Sequence, residues 1–382
     1  MRIKPANRLN ALNEYYFSEK LAQLERMRAK GIDVINLGIG NPDLPPDTEA
    51  IEVLQTESAL SGNHGYQSYK GIPQLREALS DWYGKWFGVS LNPDDEVLPL
   101  MGSKEGIMHI SMAFLNPGDE VLVANPAYPA YAAAAKLSGA AVRYYPLKRE
   151  NDFFPDLDTL EKSDLSKVKL MWVNYPNMPT GKSAGFSLFK NLVSFGKEHN
   201  ILIVNDNPYG LILTEKPESI LKADSGKEIA LELNSLSKSH NMAGWRIGMA
   251  AGNRQYIKAI LNVKSNMDSG MFKPLQLAAV KALKNSENQI RQINKVYKHR
   301  QQLAYNLLDK LGCSFQTDGA GLFIWAQIPG SFAGSREFSQ WLLDKTAVFI
   351  TPGFIFGSEG ERYIRLSLSN SEEKIKQAIS RV

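Results

Sequence analysis

Cysteine is nearly absent: Cys313 stands alone in 382 residues, so the chain can build no internal disulfide and no thiolate metal site. Histidine is scarce as well. The five histidines, His64, His109, His199, His240 and His299, include no pair at helical ligand spacing, so nothing marks a bound metal and none is expected. No apolar run approaches the ~18 residues of a membrane span, and the opening MRIKPANRLNALNEYYFSEK lacks the apolar stretch of a secretion signal. A cytoplasmic chain without membrane contact is expected. An excess of either charge is also missing. The 44 basic residues face 40 acidic ones, a net +4, and they are scattered, which leaves no footprint for nucleic acid.

What is present is an ordinary globular composition, 43% hydrophobic and 22% charged, which excludes disordered, collagen-like and disulfide-scaffold classes. At roughly 150 residues per domain, the length predicts two or three packed units. Phe17, Leu21, Leu24 and Met27 recur at helical spacing and predict a helix over 14–30, closed by Gly31. Past Gly71, apolar strands (96–101, 120–124, 142–145, 168–173, 201–204, 229–233, 247–251) are interleaved with helices (75–87, 104–115, 131–137, 188–198). That rhythm predicts an α/β fold whose central sheet is mostly parallel and covered on both faces. A long amphipathic helix over 285–311 leads to strands at 322–328, 348–350 and 363–368, with a helix near 338–343, a smaller α+β unit. The expected division is a large domain over 45–280 and a small domain made of 1–44 and 281–382.

Four stretches have residues suited to chemistry. Gly102-Ser103-Lys104-Glu105-Gly106 follows a strand and opens a helix, so amides, a hydroxyl and an ammonium suit a phosphate there; an ordinary strand-to-helix turn reads the same way. Asp206 and Tyr209 follow an apolar strand, at the carboxyl end where ligands of parallel sheets sit, though a turn-capping aspartate is equally consistent. SLSKSHNMAGWRIG, 235–248, gathers Ser235, Ser237, Lys238 and Arg246, and a guanidinium leading an apolar strand calls for an anion. Arg365 shares a strand face with Tyr363 and needs a planar anionic partner, either a substrate carboxylate or a structural acid.

In this order, LGIGNPD (37–43), YQSYKGIPQLREAL (66–79), GSKEG, NPAYPAY (125–131), NYPNMPTG (174–181), NDNPY (205–209), SLSKSHNMAGWRIG and RYIRLSLS (362–369) resemble the class I aminotransferases of the fold-type I pyridoxal phosphate enzymes. The wording is most similar to the aspartate, methionine and LL-diaminopimelate branch. The resemblance implies a homodimer that binds pyridoxal 5′-phosphate and moves an amino group between an α-amino acid and a 2-oxo acid by a ping-pong route; a C–S lyase on the same fold is the alternative. It implies Lys238 as Schiff-base lysine and proton shuttle, Asp206 against the ring nitrogen, Tyr209 on the ring phenolic oxygen and Tyr128 stacked on the ring. Gly102, Ser103, Lys104, Ser235, Ser237 and Arg246 would hold the phosphate, with Tyr66 reaching in from the partner. Arg365 would clamp the substrate carboxylate near Gly40, and Tyr15 would touch substrate.

One position departs from the pattern. Met178 stands where the family usually has the asparagine that donates to the ring oxygen; the resemblance places Asn177, just before it, among the cofactor-binding residues, and whether it compensates is left open by the sequence. A missing donor there predicts a raised pKa for the lysine–cofactor imine.

Overall fold

In a computed structural model of the chain, which describes residues 3–11 and 16–382, a seven-stranded sheet forms the centre. Its order is Val97–Leu100, Gly248–Gly252, Ala230–Ser235, Leu202–Asp206, Val168–Val173, Glu120–Asn125 and Ala141–Pro146. Only Gly248–Gly252 runs antiparallel to its neighbours; the other pairings are parallel. The sheet is therefore mostly parallel, as the alternation predicts. Its inner strands are buried along nearly their whole length, so they read as continuous apolar runs rather than alternating ones.

Helices cover both faces. Pro73–Phe87 starts on a proline, whose missing N–H is harmless in a first turn, and stops at Gly88, whose φ of 66° is a left-handed cap. It buries Leu75, Leu79, Trp82, Tyr83 and Phe87, each contributing about 1.5–3 kcal/mol when fully removed from water. Helices outside the elements read from the sequence include Thr48–Ser58, Arg254–Lys264, Lys273–Lys284 and Glu372–Arg381.

The 25-residue helix Ser286–Lys310 leads to a second, antiparallel sheet ordered Thr351–Pro352, Tyr363–Ser367, Phe323–Gln327 and Ser314–Phe315. Ile35–Asn36 pairs in parallel with Val348–Phe349, and Ser367 N donates to Leu37 O at 2.8 Å, so the segment after the first helix (Tyr16–Ala29) is sewn to the C-terminal unit. Among the described residues, no helix is long and apolar enough to cross a membrane.

The parallel strands all end on one side. Gly102, Asn125, Asn174, Asp206 and Ser235 lie at or just past those carboxyl ends, which is where a ligand of such a sheet sits.

Candidate functional site

One end of the site is an anion cradle. The Val97–Leu100 strand turns through Gly102, at φ 86°, into the helix Ser103–Phe114, leaving the first amides of that helix without internal partners. A Cβ on Gly102 would lie 2.1 Å from Arg246 Nη2, so glycine alone lets the guanidinium close over the helix start. Gly248 plays the same part from the far side, where a Cβ would fall 2.7 Å from Ser103 N. Arg246 Nη1 donates to Ala243 O at 2.9 Å and to Ser237 Oγ at 3.4 Å, and Ser237 Oγ lies 2.8 Å from Ser235 Oγ. Amides, hydroxyls and a guanidinium converge on one point, the donor set a phosphate requires. Ser103 is half-buried there and Lys104 is exposed on the first helical turn.

The middle of the site is built on Asp206. Its Oδ2 accepts from Tyr131 Oη at 2.8 Å, while Oδ1 is buried with no hydrogen-bond partner among the described residues. Burial pushes this carboxyl up to about 7, against the Tyr131 hydrogen bond and with help from Glu232. An orphaned carboxylate oxygen is costly in such a place. A cationic N–H arriving at Oδ1 removes that cost. Asn174 Nδ2 holds the Asp206 carbonyl, and Tyr131 stacks on Trp172 with centroids 5.0 Å apart and meets Tyr128 edge-on. Tyr209 is buried; its phenol is pushed up by burial, opposed by Arg365 and reinforced by Asp206 and Tyr128, so these groups share one chamber.

At the other end, two cations meet the glycine-rich segment after Leu37. Lys238, on the one-turn helix Leu236–Ser239, donates from Nζ to Gly40 O at 2.6 Å. Burial lowers its ammonium to about 8, with Arg365 and Arg246 adding repulsion. Arg365 donates from Nη2 to Gly38 O at 2.9 Å and from Nη1 to Met178 Sδ at 3.2 Å, and lies over the rings of Phe323 (3.9 Å) and Phe356 (4.7 Å). Gly40 is tight against the same ring, since a Cβ there would lie 2.2 Å from Phe323.

The residues read from the sequence therefore divide. Gly102, Ser103, Ser235, Ser237 and Arg246 gather at the cradle; Asp206, Tyr128 and Tyr209 form the chamber; Lys238, Gly40 and Arg365 meet at its far end. Asn177 Oδ1 accepts from Thr180 N at 3.2 Å and from Thr180 Oγ1 at 2.8 Å, which fixes a turn. Tyr66 projects outward, 92% exposed. Tyr15 lies outside the described residues. Four contributors escaped the sequence reading: Tyr131, Asn174, Phe323 and Glu232. Tyr131 and Asn174 lie inside the quoted motifs, so a role for the second tyrosine of NPAYPAY and the first asparagine of NYPN was the available signal.

The sequence profile of class I and II aminotransferases matches residues 32–382. The chain belongs to that family. Among relatives of this aminotransferase, the LL-diaminopimelate aminotransferase of Dehalococcoides mccartyi strain 195 is 44% identical over 382 residues, covering 100% of this chain and 98% of the relative. That of Aquifex aeolicus is 40% identical over 379 residues, covering 99% and 98%. Among solved structures, substrate-bound BacF from Bacillus subtilis superposes with a TM-score of 0.94 at 37% identity, covering 100% of this chain and 97% of that one. Aspartate aminotransferase from Thermus thermophilus with maleate gives 0.92 at 27%, covering 99% and 98%. The fold is thus fold-type I and the cofactor of this aminotransferase is pyridoxal phosphate, for which the cradle and the orphaned Asp206 oxygen are a chemical fit. The reaction is transamination between an amino acid and a 2-oxo acid; the family and the named relatives do not favour the lyase alternative.

Proposed function

We propose that this aminotransferase takes LL-diaminopimelate as its amino donor, working as a homodimer in the cytoplasm. The substrate reading is supported by full-length similarity to enzymes of that name, at 39–44% identity in two of them. When bound, pyridoxal phosphate supplies an electron-withdrawing ring that stabilises the negative charge developing at the substrate Cα. The protein's residues do the rest. Ser103, Ser235, Ser237, Arg246 and the Ser103–Phe114 helix start would hold the phosphate, with Lys104 beside them. Asp206 would keep a proton on the ring nitrogen, Tyr209 would donate to the ring oxygen, and Tyr128 would lie against the ring. Arg365 takes the substrate α-carboxylate in place of its present weak acceptors, Gly38 O and Met178 Sδ.

The observation that carries this reading is the placing of Lys238. Its ammonium, lowered to about 8, stands between the carboxylate clamp and the anion cradle, close enough to neutrality to act as nucleophile and then as base near physiological pH. Lys238 would carry the cofactor covalently and, once released, move the Cα proton. A half-reaction screen tests the substrate. Holoenzyme mixed with LL-diaminopimelate should convert its cofactor spectrum to the amine form faster than with methionine, aspartate or glutamate; no change with LL-diaminopimelate and a rapid one with another amino acid would reject it.

The dimer reading rests on an apolar patch around Tyr66. Leu60, Tyr66, Tyr69, Met267 and Phe272 are all exposed, His64 meets Phe272 ring to ring at 5.6 Å, and the loop at Gly270 sits on the backbone of Gln67 and Ser68. A second copy would cover it and receive Tyr66 in its site. The division into a large unit, 45–280, and a small unit, 1–44 with 281–382, is supported by the separate seven-stranded and four-stranded sheets and by the pairing of Ile35–Asn36 with Val348–Phe349. Mixing inactive Lys238→Ala with weakened Tyr66→Ala chains tests the sharing of Tyr66. Activity should reappear in mixed dimers; none would place Tyr66 outside the partner's site.

A further inference from the structure

Behind Asp206, on the opposite face of the sheet, lies a second carboxylate. Glu232 is fully buried and sits in register with Asn205 on the neighbouring strand, so alternation turns Asn205 and Asn207 toward it and Asp206 away. Among the described residues, each of its hydrogen-bond partners is a donor. Its Oε1 accepts from Tyr83 Oη at 2.9 Å and from Asn207 Nδ2 at 3.4 Å; its Oε2 accepts from Asn205 Nδ2 at 2.9 Å and from Ile220 N at 3.2 Å; the Ser219 hydroxyl also donates. Burial pushes this carboxyl above the usual carboxylate range, and the donors on both oxygens oppose that by favouring the ionised form.

We propose that Glu232 is a positioning residue for Asp206, clamping the asparagines on either side of it and adding a second negative charge behind the one that meets the cofactor's ring nitrogen. The inference rests on the assignment of Asp206 made above. Three observations support it. Both neighbours of Asp206 end on the same carboxylate. Asn205 passes the order on, since its Oδ1 accepts from Tyr175 N at 3.0 Å beside Asn174, which in turn holds the Asp206 carbonyl and accepts from Met178 N at 2.7 Å. Finally, Glu232 is among the groups that push the Asp206 carboxyl upward, so its charge is felt there. Among the described residues, the titratable groups set against Glu232 are Tyr83 and Asp206, and the nearby Glu218 is paired outward with Lys216 and Lys222. A stronger base at Asp206 holds the ring-nitrogen proton more firmly, which is what transamination asks of it.

The test uses holoenzyme reconstituted with pyridoxal phosphate carrying nitrogen-15 in the ring, whose NMR shift reports the proton on that atom as pH is raised. Glu232→Gln should lower the midpoint of proton loss by about one pH unit. Glu232→Asp, which restores the charge, should recover most of that. A folded Glu232→Gln enzyme with the parent's midpoint would overturn the proposal. Asp206→Asn separates the two assignments. If it keeps a parent-like protonated ring nitrogen, the role of Asp206 fails and that of Glu232 with it; if it strips the proton while Glu232→Gln does not, only Glu232 falls. Should Glu232→Gln not fold, infrared titration of Asp206→Asn apoprotein decides, because losing the neighbouring charge must lower the pH at which Glu232 takes up its proton, and an unmoved titration contradicts the coupling.

Discussion

Lys238 Nζ and the carbonyl of Gly40 stand 2.6 Å apart although 198 positions separate them in the chain. The contact locks the segment after Leu37 over the sheet's carboxyl edge, and Arg365 grips the same segment two residues earlier, at Gly38 O. Two cations thus share one strip of backbone, each bonded to a neutral acceptor that a substrate or cofactor group can replace.

Gly40→Ala should disturb this arrangement without touching either cation, because its Cβ would enter the Phe323 ring at 2.2 Å and overpacking of that kind typically costs about 1–3 kcal/mol. Phe323 also lies under Arg365, so the expected signature is a raised KM for amino acid. Steady-state kinetics across substrate concentration would show it; an unchanged KM would mean that the ring moves aside freely.

Gly102→Ala should weaken cofactor binding. Its φ of 86° is one that alanine resists at a cost of about 1–2 kcal/mol, and its methyl would collide with Arg246 Nη2. At 1.4 kcal/mol per tenfold, the dissociation constant for pyridoxal phosphate should rise about fivefold or more, read by fluorescence titration of apoprotein. Parent-like affinity would remove Gly102 and Arg246 from the cradle.

Met178→Asn should move the visible band of the bound cofactor. The parent has a thioether against Arg365, and Asn177 is held by Thr180, so the ring oxygen is left with Tyr209 as its assigned donor. A hydrogen bond to a charged group is worth roughly 1.5–3 kcal/mol, so a new amide donor should lower the pH midpoint of that band by about one to two units at most. An unmoved or raised midpoint would contradict the reading.

His240, two residues beyond Lys238, is fully buried, with Nδ1 at 2.8 Å from Ser239 Oγ and its ring lowered by burial to about 3. The unfolded chain protonates near 6.5 and the folded one near 3, so the unfolded state binds more protons between those values. Stability from this group is present above about 6.5 and is lost as pH falls toward 3, about 2 kcal/mol by pH 5. The urea midpoint of the parent should therefore fall more steeply below pH 6.5 than that of His240→Gln; parallel slopes would show that the ring titrates normally.

Local chemistry made much of this legible. Lys238 stood out because small polar residues follow an apolar strand, and Pro73 and Gly88 marked the ends of their helix because φ and a missing N–H are properties of single residues. Lys273–Lys284 escaped because its buried face mixes Ala278, Ala279 and Ala282 with Pro274 and Gln276, and Thr48–Ser58 because Ala50 is its one buried residue, so neither shows a clear stripe of large apolar side chains. The reversed direction of Gly248–Gly252 leaves no mark on a period-two pattern. Tyr131 with Asp206 and Glu232 with Tyr83 are pairs 75 and 149 positions apart, and no window along the chain joins them. Tyr131 is moreover a phenol in a motif already crowded with them.

Lys238 as the covalent attachment point underlies every role assigned to the site. Borohydride reduction of the loaded enzyme, followed by peptide mapping, should fix the reduced pyridoxyl label on the peptide that contains Lys238, and Lys238→Ala should take up none. A label recovered on another lysine, or no label from fully loaded protein, would contradict it.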